Sequence, residues 1–294
     1  MKQIQGGVTA AKGFEAASTA AKIKYQDRTD MAMIYSQVPC ECAGTFTTNV
    51  VKAACVKWDQ QVVKSGAKAQ AVIVNSGIAN ACTGEEGMGY CKETAEAAAK
   101  ALNIDAAGVL VGSTGVIGMQ LPIDRIANGV KAMAPKLEGS REAGLEAAKA
   151  IMTTDTEPKE VAVQIEIGGK TVTIGSMCKG SGMIHPNMAT MLLFMTTDAK
   201  VAPAALQKAL STVVPATFNQ ISVDGDTSTN DTVLLLASGL SGAEIAEGTP
   251  DYDTFVAALT EVAEHLSREL AGDGEGATKL LECTVTGAPD LATA

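Results

Sequence analysis

Aromatic residues are scarce: Phe, Trp and Tyr together make up 3% of the 294 residues, with a single Trp. Without rings, the core must be filled by Ala, Val, Leu, Ile and 12 Met, which favours helices layered on sheet. Histidine is nearly absent. With only His185 and His265, and no pair at H-x-x-x-H-like spacing, a His-rich zinc site is excluded. The seven Cys (40, 42, 55, 82, 91, 178, 283) form an odd, scattered set with one C-x-C and no C-x-x-C, so they read as buried thiols of a reducing compartment. Basic residues are outnumbered, 23 against 33 acidic, and the net charge of −10 repels phosphate backbones and anionic lipid headgroups. Nucleic acid is therefore not an expected partner. The strongest apolar runs, residues 191–195 and 233–237, fall far short of the roughly 20 residues that span a bilayer, and the start has no apolar stretch of signal-peptide length. We expect a soluble cytoplasmic protein with no membrane contact.

What is present is ordinary globular material: 46% hydrophobic, 19% charged and 29 Gly, enough chain for one large domain or two ordinary ones. β-Branched runs at 71–74 and 109–112 each precede a Gly/Ser turn and a helix-like stretch, with an Ala-rich helix over 90–102 between them. Residues 161–167 and 171–174 alternate around Gly168-Gly169-Lys170, a hairpin signal. Helices are expected over 140–152 and 203–214. The helix over 252–270 places Tyr252, Phe255, Val256, Leu259, Val262, Ala263, Leu266 and Leu270 on one face. Beyond it, Leu281, Cys283 and Val285 alternate with polar residues, which predicts a half-buried strand.

Several motifs fail on inspection. Gly169-Lys170-Thr171 ends like a phosphate-binding loop, but Gln164 stands where the first Gly is required. The loop from Asp224 to Asp231 starts like a calcium loop, yet carries Thr229 at position six and Leu235 at position twelve. The Asp224-x-Asp226 pair leaves a magnesium-dependent phosphotransferase as a rival. No G-x-S-x-G elbow occurs.

The segment Lys179-Gly180-Ser181-Gly182-Met183-Ile184-His185-Pro186-Asn187-Met188-Ala189-Thr190-Met191-Leu192 runs from a Gly- and Pro-punctuated loop straight into an apolar strand whose first residue is Thr. A lone Thr in that position is ordinarily just a β-former. Here the segment resembles the self-cleavage site of the ornithine acetyltransferase, or bifunctional glutamate N-acetyltransferase, family. Further blocks resemble that family in its own order: Gly6-Gly7-Val8-Thr9-Ala10, the stretch from Ala43 to Asn49, Val74-Asn75-Ser76-Gly77, the stretch from Ala79 to Gly84, Ser113-Thr114-Gly115-Val116-Ile117-Gly118, Met152-Thr153-Thr154-Asp155-Thr156 and the stretch from Asp273 to Lys279.

The resemblance implies an α/β layered sandwich related to autoprocessing aminopeptidases. It implies a cut between Ala189 and Thr190 that leaves residues 1–189 as an α chain and 190–294 as a β chain. Chemistry agrees with this. A Thr hydroxyl needs a base beside it, and the cut supplies one, because a free α-amine has a pKa of about 7.7–8.0. By resemblance Thr190 takes acetyl from N-acetylornithine and passes it to glutamate in a ping-pong reaction of arginine biosynthesis. Thr114 and Gly115 supply the oxyanion donors, and Thr153, Lys179, Thr190 and Glu275 contact substrate. The Thr153 assignment has adjacent Thr154 as its alternative. The resemblance implies no resident cofactor and a homo-oligomer of αβ units whose chains come from one precursor, and it leaves acetyl-CoA open as an additional co-substrate. The Asp224 to Asp231 loop belongs to the family pattern and is expected to build a turn.

Two departures are specific: Ala11 stands where Pro is common and Ile78 where Asn is usual. Family members also continue past Thr278-Lys279, so a C-terminally truncated member with an incomplete β chain is expected. The rivals are an amidase or aminopeptidase of the same fold, which is expected to carry Ser at the cut, and an inactive fragment.

Overall fold

In the computed structural model, which describes residues 1–186, 191–290 and 293, strand and helix alternate along most of the chain. The strands are β1 (Lys2–Ile4), β2 (Phe14–Thr19), β3 (Met31–Phe46), β4 (Ala69–Ile78), β5 (Val109–Val116), β6 (Lys159–Ile167), β7 (Lys170–Lys179), β8 (Leu192–Thr197), β9 (Lys200–Val201), β10 (Thr232–Ala237) and β11 (Glu244–Ile245). The helices are α1 (Ala54–Ser65), α2 (Glu86–Leu102), α3 (Ile123–Met133), α4 (Arg141–Ala150), α5 (Pro203–Ala216) and α6 (Pro250–Gly272). Hydrogen bonding runs in the order β1-β6-β7-β8-β10-β3-β4-β5, with β2 on β3, while β9 and β11 pair separately.

This path is two sheets joined by one long strand. The first half of β3 pairs with β2 and β4, and its last residues, Glu41 to Phe46, pair with β10. The register shifts between Tyr35 and Cys40, where Pro39 removes a ladder donor and the strand passes from one sheet to the other. Alternation then decides the layers. Leu192 and Phe194 of β8 and Leu234 and Leu236 of β10 share a core with Ile34, Val72, Val74 and Leu110 of the second sheet. Their neighbours Leu193, Met195, Val233 and Leu235 face the opposite way, onto Leu206, Leu210 and Val213 of α5 and Phe255, Leu259 and Val262 of α6. Met31, Met33, Ile73 and Val109 turn outward to Ala95 and Ala98 of α2 and Ile126, Val130 and Met133 of α3. The result is helix, sheet, sheet, helix, the α/β layered sandwich expected. Each fully buried aliphatic or Phe side chain contributes roughly 1.5–3 kcal/mol to it.

The 161–174 hairpin is present as β6 and β7, its turn made by Gly168 and Gly169 at φ +56° and +75°. Ser140 caps α4 by accepting from Ala143 N at 3.2 Å, and Thr249 caps α6 just before Pro250. One expectation fails. Residues 281–285 form no strand: Leu281 is 89% exposed and Val285 54%. Alternation supplies a face, but a strand also needs a neighbour's N–H and C=O groups, and no described strand pairs with this segment. Both departures from the family pattern are buried apolar contacts, Ala11 in the core between the sheets and Ile78 against α2 and α3.

Candidate active site at the head of the central strand

A row of paired residues crosses the first sheet at the head of β8: Lys179 of β7 lies opposite Leu192, Leu192 opposite Thr232 of β10, and Thr232 opposite Phe46 of β3. Just before Leu192, Met191 N donates to Asp231 Oδ1 at 3.1 Å and its carbonyl accepts from Thr232 N at 3.1 Å. On the upstream side, Asp224 accepts from the backbone N–H groups of Met183 (2.6 Å), Ile184 (3.0 Å) and Asp226 (3.1 Å). These amides hold the Asp224 carboxyl below its ordinary range even though burial opposes the shift. With its oxygens so engaged, Asp224 builds a turn, as expected of this loop, and the phosphotransferase rival loses its pair. Both flanks of the expected cut are thus anchored. Ala189 and Thr190 themselves lie outside the described residues.

Thr114 and Gly115 end β5, where Ser76 pairs with Thr114 and Gly77 with Gly115. Thr114 is buried and Gly115 exposed. Gly115 has φ +128°, and a Cβ there would sit 2.2 Å from the Gly77 carbonyl carbon, so two backbones meet at a distance only glycine allows. The turn is braced from below: Ser113 Oγ donates to Asn75 Oδ1 at 2.7 Å, and Asn75 Nδ2 to the Ile78 carbonyl at 2.9 Å. Asn230 ties it to the head of β8, since its Nδ2 donates to the carbonyls of Ala79 (2.6 Å) and Ser113 (2.8 Å) while its neighbour Asp231 holds Met191.

Lys179 and Thr153 come together: Lys179 Nζ donates to Thr153 Oγ1 at 2.7 Å. Thr154 instead meets Ser181 Oγ at 2.7 Å, so it is Thr153 that faces the lysine. Lys179 is 3% exposed, and burial depresses its ammonium pKa against the pull of Asp155. Asp155 sits between two lysines, its Oδ1 accepting from Lys159 Nζ (3.0 Å) and Gly180 N (2.6 Å), its Oδ2 accepting from Thr153 N (3.1 Å) and lying 3.7 Å from Lys179 Nζ. Burial alone would raise the Asp155 carboxyl; Lys179, Lys159 and the amides bring it below the ordinary value. Lys159 is as deeply buried and also reaches Asp273 Oδ2 at 2.5 Å.

Glu275 joins this group through its backbone, N donating to the Ser181 carbonyl at 2.7 Å. Its carboxylate lies over Gly182, where a Cβ would meet Oε1 at 2.5 Å. It also lines a cleft of about 550 Å³ between α6 and residues 276–283 that none of Thr114, Thr153 or Lys179 reaches. Four polar residues of the site escaped sequence reasoning: Asp155, Lys159, Asn230 and Asp231. The signal for the first two was the i, i+4 acid and base at Asp155 and Lys159. Nothing local marks the bonds that tie Asp231 to Met191, 40 residues away, or Asn230 to Ser113 and Ala79, 117 and 151 residues away.

The sequence matches the ArgJ family over residues 15–294. The chain belongs to the ArgJ family. The curated arginine biosynthesis bifunctional protein ArgJ of Symbiobacterium thermophilum is 54% identical over the whole of this chain and 73% of its own length, and the Lactococcus lactis protein of the same name is 52% identical over the same shares. Among solved ArgJ-type structures, the Bacillus halodurans protein aligns with a TM-score of 0.59 and 42% identity, covering 64% of this chain and 97% of its own. The Mycobacterium tuberculosis ornithine acetyltransferase, solved with ornithine, aligns at 0.58 and 43% over the same shares. An aminopeptidase and amidase of Ochrobactrum anthropi, described as a variant of the Ntn-hydrolase fold, aligns at 0.54 with 11% identity and shares the fold alone. Among the described residues, no helix of this ArgJ chain is long and apolar enough to cross a membrane.

Proposed function

We propose that this ArgJ chain is an autoprocessing acyltransferase of arginine biosynthesis that moves acetyl from N-acetylornithine to glutamate through an acetyl ester on Thr190. The observation that supports this is that the backbone entering β8 is tied to both groups of assigned residues: Leu192 pairs with Lys179, which holds Thr153, and Met191 is held by Asp231, whose neighbour Asn230 holds the carbonyl of Ser113 beside Thr114 and Gly115.

Thr190 Oγ attacks the Ala189 carbonyl, the peptide nitrogen leaves as the new α-amine, and water opens the resulting ester. The same hydroxyl, with its own amine as base, then attacks the acetyl carbonyl of N-acetylornithine, releases ornithine, and yields the acetyl to the amine of glutamate. In both halves a carbonyl oxygen becomes an oxyanion; Thr114 Oγ1 and Gly115 N–H are the donors assigned to it, and losing one such donor typically costs about 10²–10³ in rate. Both substrates carry an α-carboxylate, to which Lys179 is the assigned cation; Thr153 is assigned a hydroxyl contact to substrate and Glu275 the pairing with the substrate amine. Acetyl-CoA enters only as a second acetyl donor, and no resident cofactor is assigned. The cut pieces, 1–189 and 190–294, remain one body because β8 and β10 lie between strands β7 and β3 of the first piece, and αβ units are assigned to a homo-oligomer. Residues 1–189 are 64% of the chain, the same share that each of the two solved ArgJ-type chains covers. A Thr at the cut disfavours the amidase or aminopeptidase alternative.

Denaturing mass analysis tests the proposal. The wild type is expected as two pieces and Thr190→Ala as one; N-acetylornithine is expected to add one acetyl to the lighter wild-type piece. Two pieces from both proteins would remove Thr190 from the chemistry.

A further inference from the structure

Lys159 opens β6 with a side chain that is 2% exposed, one of the largest fully buried side chains in the molecule. A buried ammonium is costly unless paired, and this one has two carboxylates. Asp155 Oδ1 lies 3.0 Å away and Asp273 Oδ2 2.5 Å away, on segments 118 residues apart in sequence, with the Glu157 carbonyl as a third acceptor at 3.3 Å. Each carboxylate in turn organises backbone. Asp155 takes the N–H groups of Thr153 and Gly180, and Asp273 takes the N–H (3.0 Å) and hydroxyl of Thr156. The Thr153 turn, the Lys179–Gly180 strand end and the Asp273-Gly274-Glu275 turn therefore converge on one nitrogen.

Charge gives the cluster a second property. Lys159 and Lys179 face Asp155 and Asp273, and the shorter contacts belong to Lys159, while Lys179 stands 3.7 Å from Asp155 and directs a 2.7 Å bond to Thr153. We propose that Lys159 is a positioning residue for the acyl-transfer reaction: it clamps the Thr153 and Glu275 segments together and neutralises Asp155 and Asp273, so that the Lys179 ammonium is left to an anionic substrate group. Without Lys159, the cation left beside Asp155 is Lys179.

The inference rests on the pocket assignment given above, so Lys179→Met serves as the control for that assignment. Each variant of the whole chain is assayed for KM and kcat with N-acetylornithine and glutamate, for the dissociation constant of ornithine by calorimetry, and for thermal stability. Lys159→Met is expected to weaken KM and ornithine binding about tenfold to a hundredfold, the scale of an ångström-sized misplacement, with kcat within about threefold of wild type. Lys159→Arg is expected to recover most of the binding. Asp273→Asn, at the partly exposed end of the clamp, is expected to give a smaller loss and to add nothing in the Lys159→Met background. If Lys179→Met weakens binding and Lys159→Met or Asp273→Asn does not, the clamp is overturned and the pocket stands. If Lys179→Met has no effect, the pocket assignment falls and takes the clamp with it. A loss of stability that Lys159→Arg does not reverse, with apparent kcat falling and KM and ornithine binding unchanged, overturns positioning in favour of a merely structural ion pair.

Discussion

Replacing Gly115 with Ala isolates the geometry of the turn to which the oxyanion donors are assigned under the proposed function. The added Cβ would lie 2.2 Å from the Gly77 carbonyl carbon and 2.4 Å from its oxygen, against the 3.4 Å at which ordinary contact begins. The shortfall of 1.2 Å falls on backbone, not on a side chain that could swing aside, so β4 and β5 must part at the Gly77–Gly115 pair. A shift of that size carries the Gly115 N–H off the position of the developing oxyanion, and losing one such donor is worth about 2.7–4 kcal/mol, or 10²–10³ in rate. The positive φ of +128° adds strain that no side chain relieves. Gly118→Ala is the matched control: φ is +77°, but nothing lies within 4 Å of its Cβ, so it carries strain without the clash. The assay is the rate at which freshly translated precursor is converted to two pieces, followed by denaturing mass analysis, with acetyl uptake from N-acetylornithine as a second readout. Gly115→Ala is expected to slow both by at least about a hundredfold, and Gly118→Ala by less than tenfold. Equal rates for the two variants would refute the assignment of Gly115 to the oxyanion turn.

Three further predictions are independent of that one. Asp224→Ala removes the acceptor of the Met183, Ile184 and Asp226 amides and is expected to slow self-cleavage about tenfold or more, while the β8–β10 core still melts as one transition; unchanged cleavage would mean the loop holds its shape without it. Asp59 is fully buried, with Oδ1 accepting from Val111 N at 2.8 Å, and burial raises its carboxyl well above the ordinary 3.8. A raised carboxyl contributes stability below the unfolded pKa that is lost as pH rises toward the folded one, by up to about 1.4 kcal/mol per pH unit. Asp59→Asn keeps the acceptor and is expected to gain stability over wild type between pH 5 and pH 7, and a pH-independent difference in denaturant midpoints would contradict this. Phe194→Ala empties a fully buried site between the two sheets and is expected to cost about 3–5 kcal/mol in urea unfolding; a cost below about 1 kcal/mol would show that the sheets close over the gap.

Much of this protein was legible before folding. Periodicity located α6, α5 and the β6–β7 hairpin, since 3.6- and 2-residue repeats are local and survive without partners. The block at 179–192 and its companions placed the chain in its family and named Thr114, Gly115, Thr153, Lys179 and Glu275 as site residues. The same local reasoning failed at 281–285, where alternation described a face but not the neighbour a strand requires. It also missed β3, whose 16 residues carry Pro39 in the middle and serve two sheets in turn.

What the chain order alone determined was the family and the course of α5, α6 and the β6–β7 hairpin, and it nominated the side chains proposed for the chemistry. Tertiary structure decided which of them meet. Lys159 is an unremarkable lysine in a polar stretch until β6 carries it inside, where removal from water makes two carboxylates obligatory and joins residue 155 to residue 273. Asn230 likewise gains its role only because β10 packs across the shared core from β5, which brings its amide to the Ser113 carbonyl. Burial cost and long-range pairing are properties of the folded chain, and no window of sequence contains them.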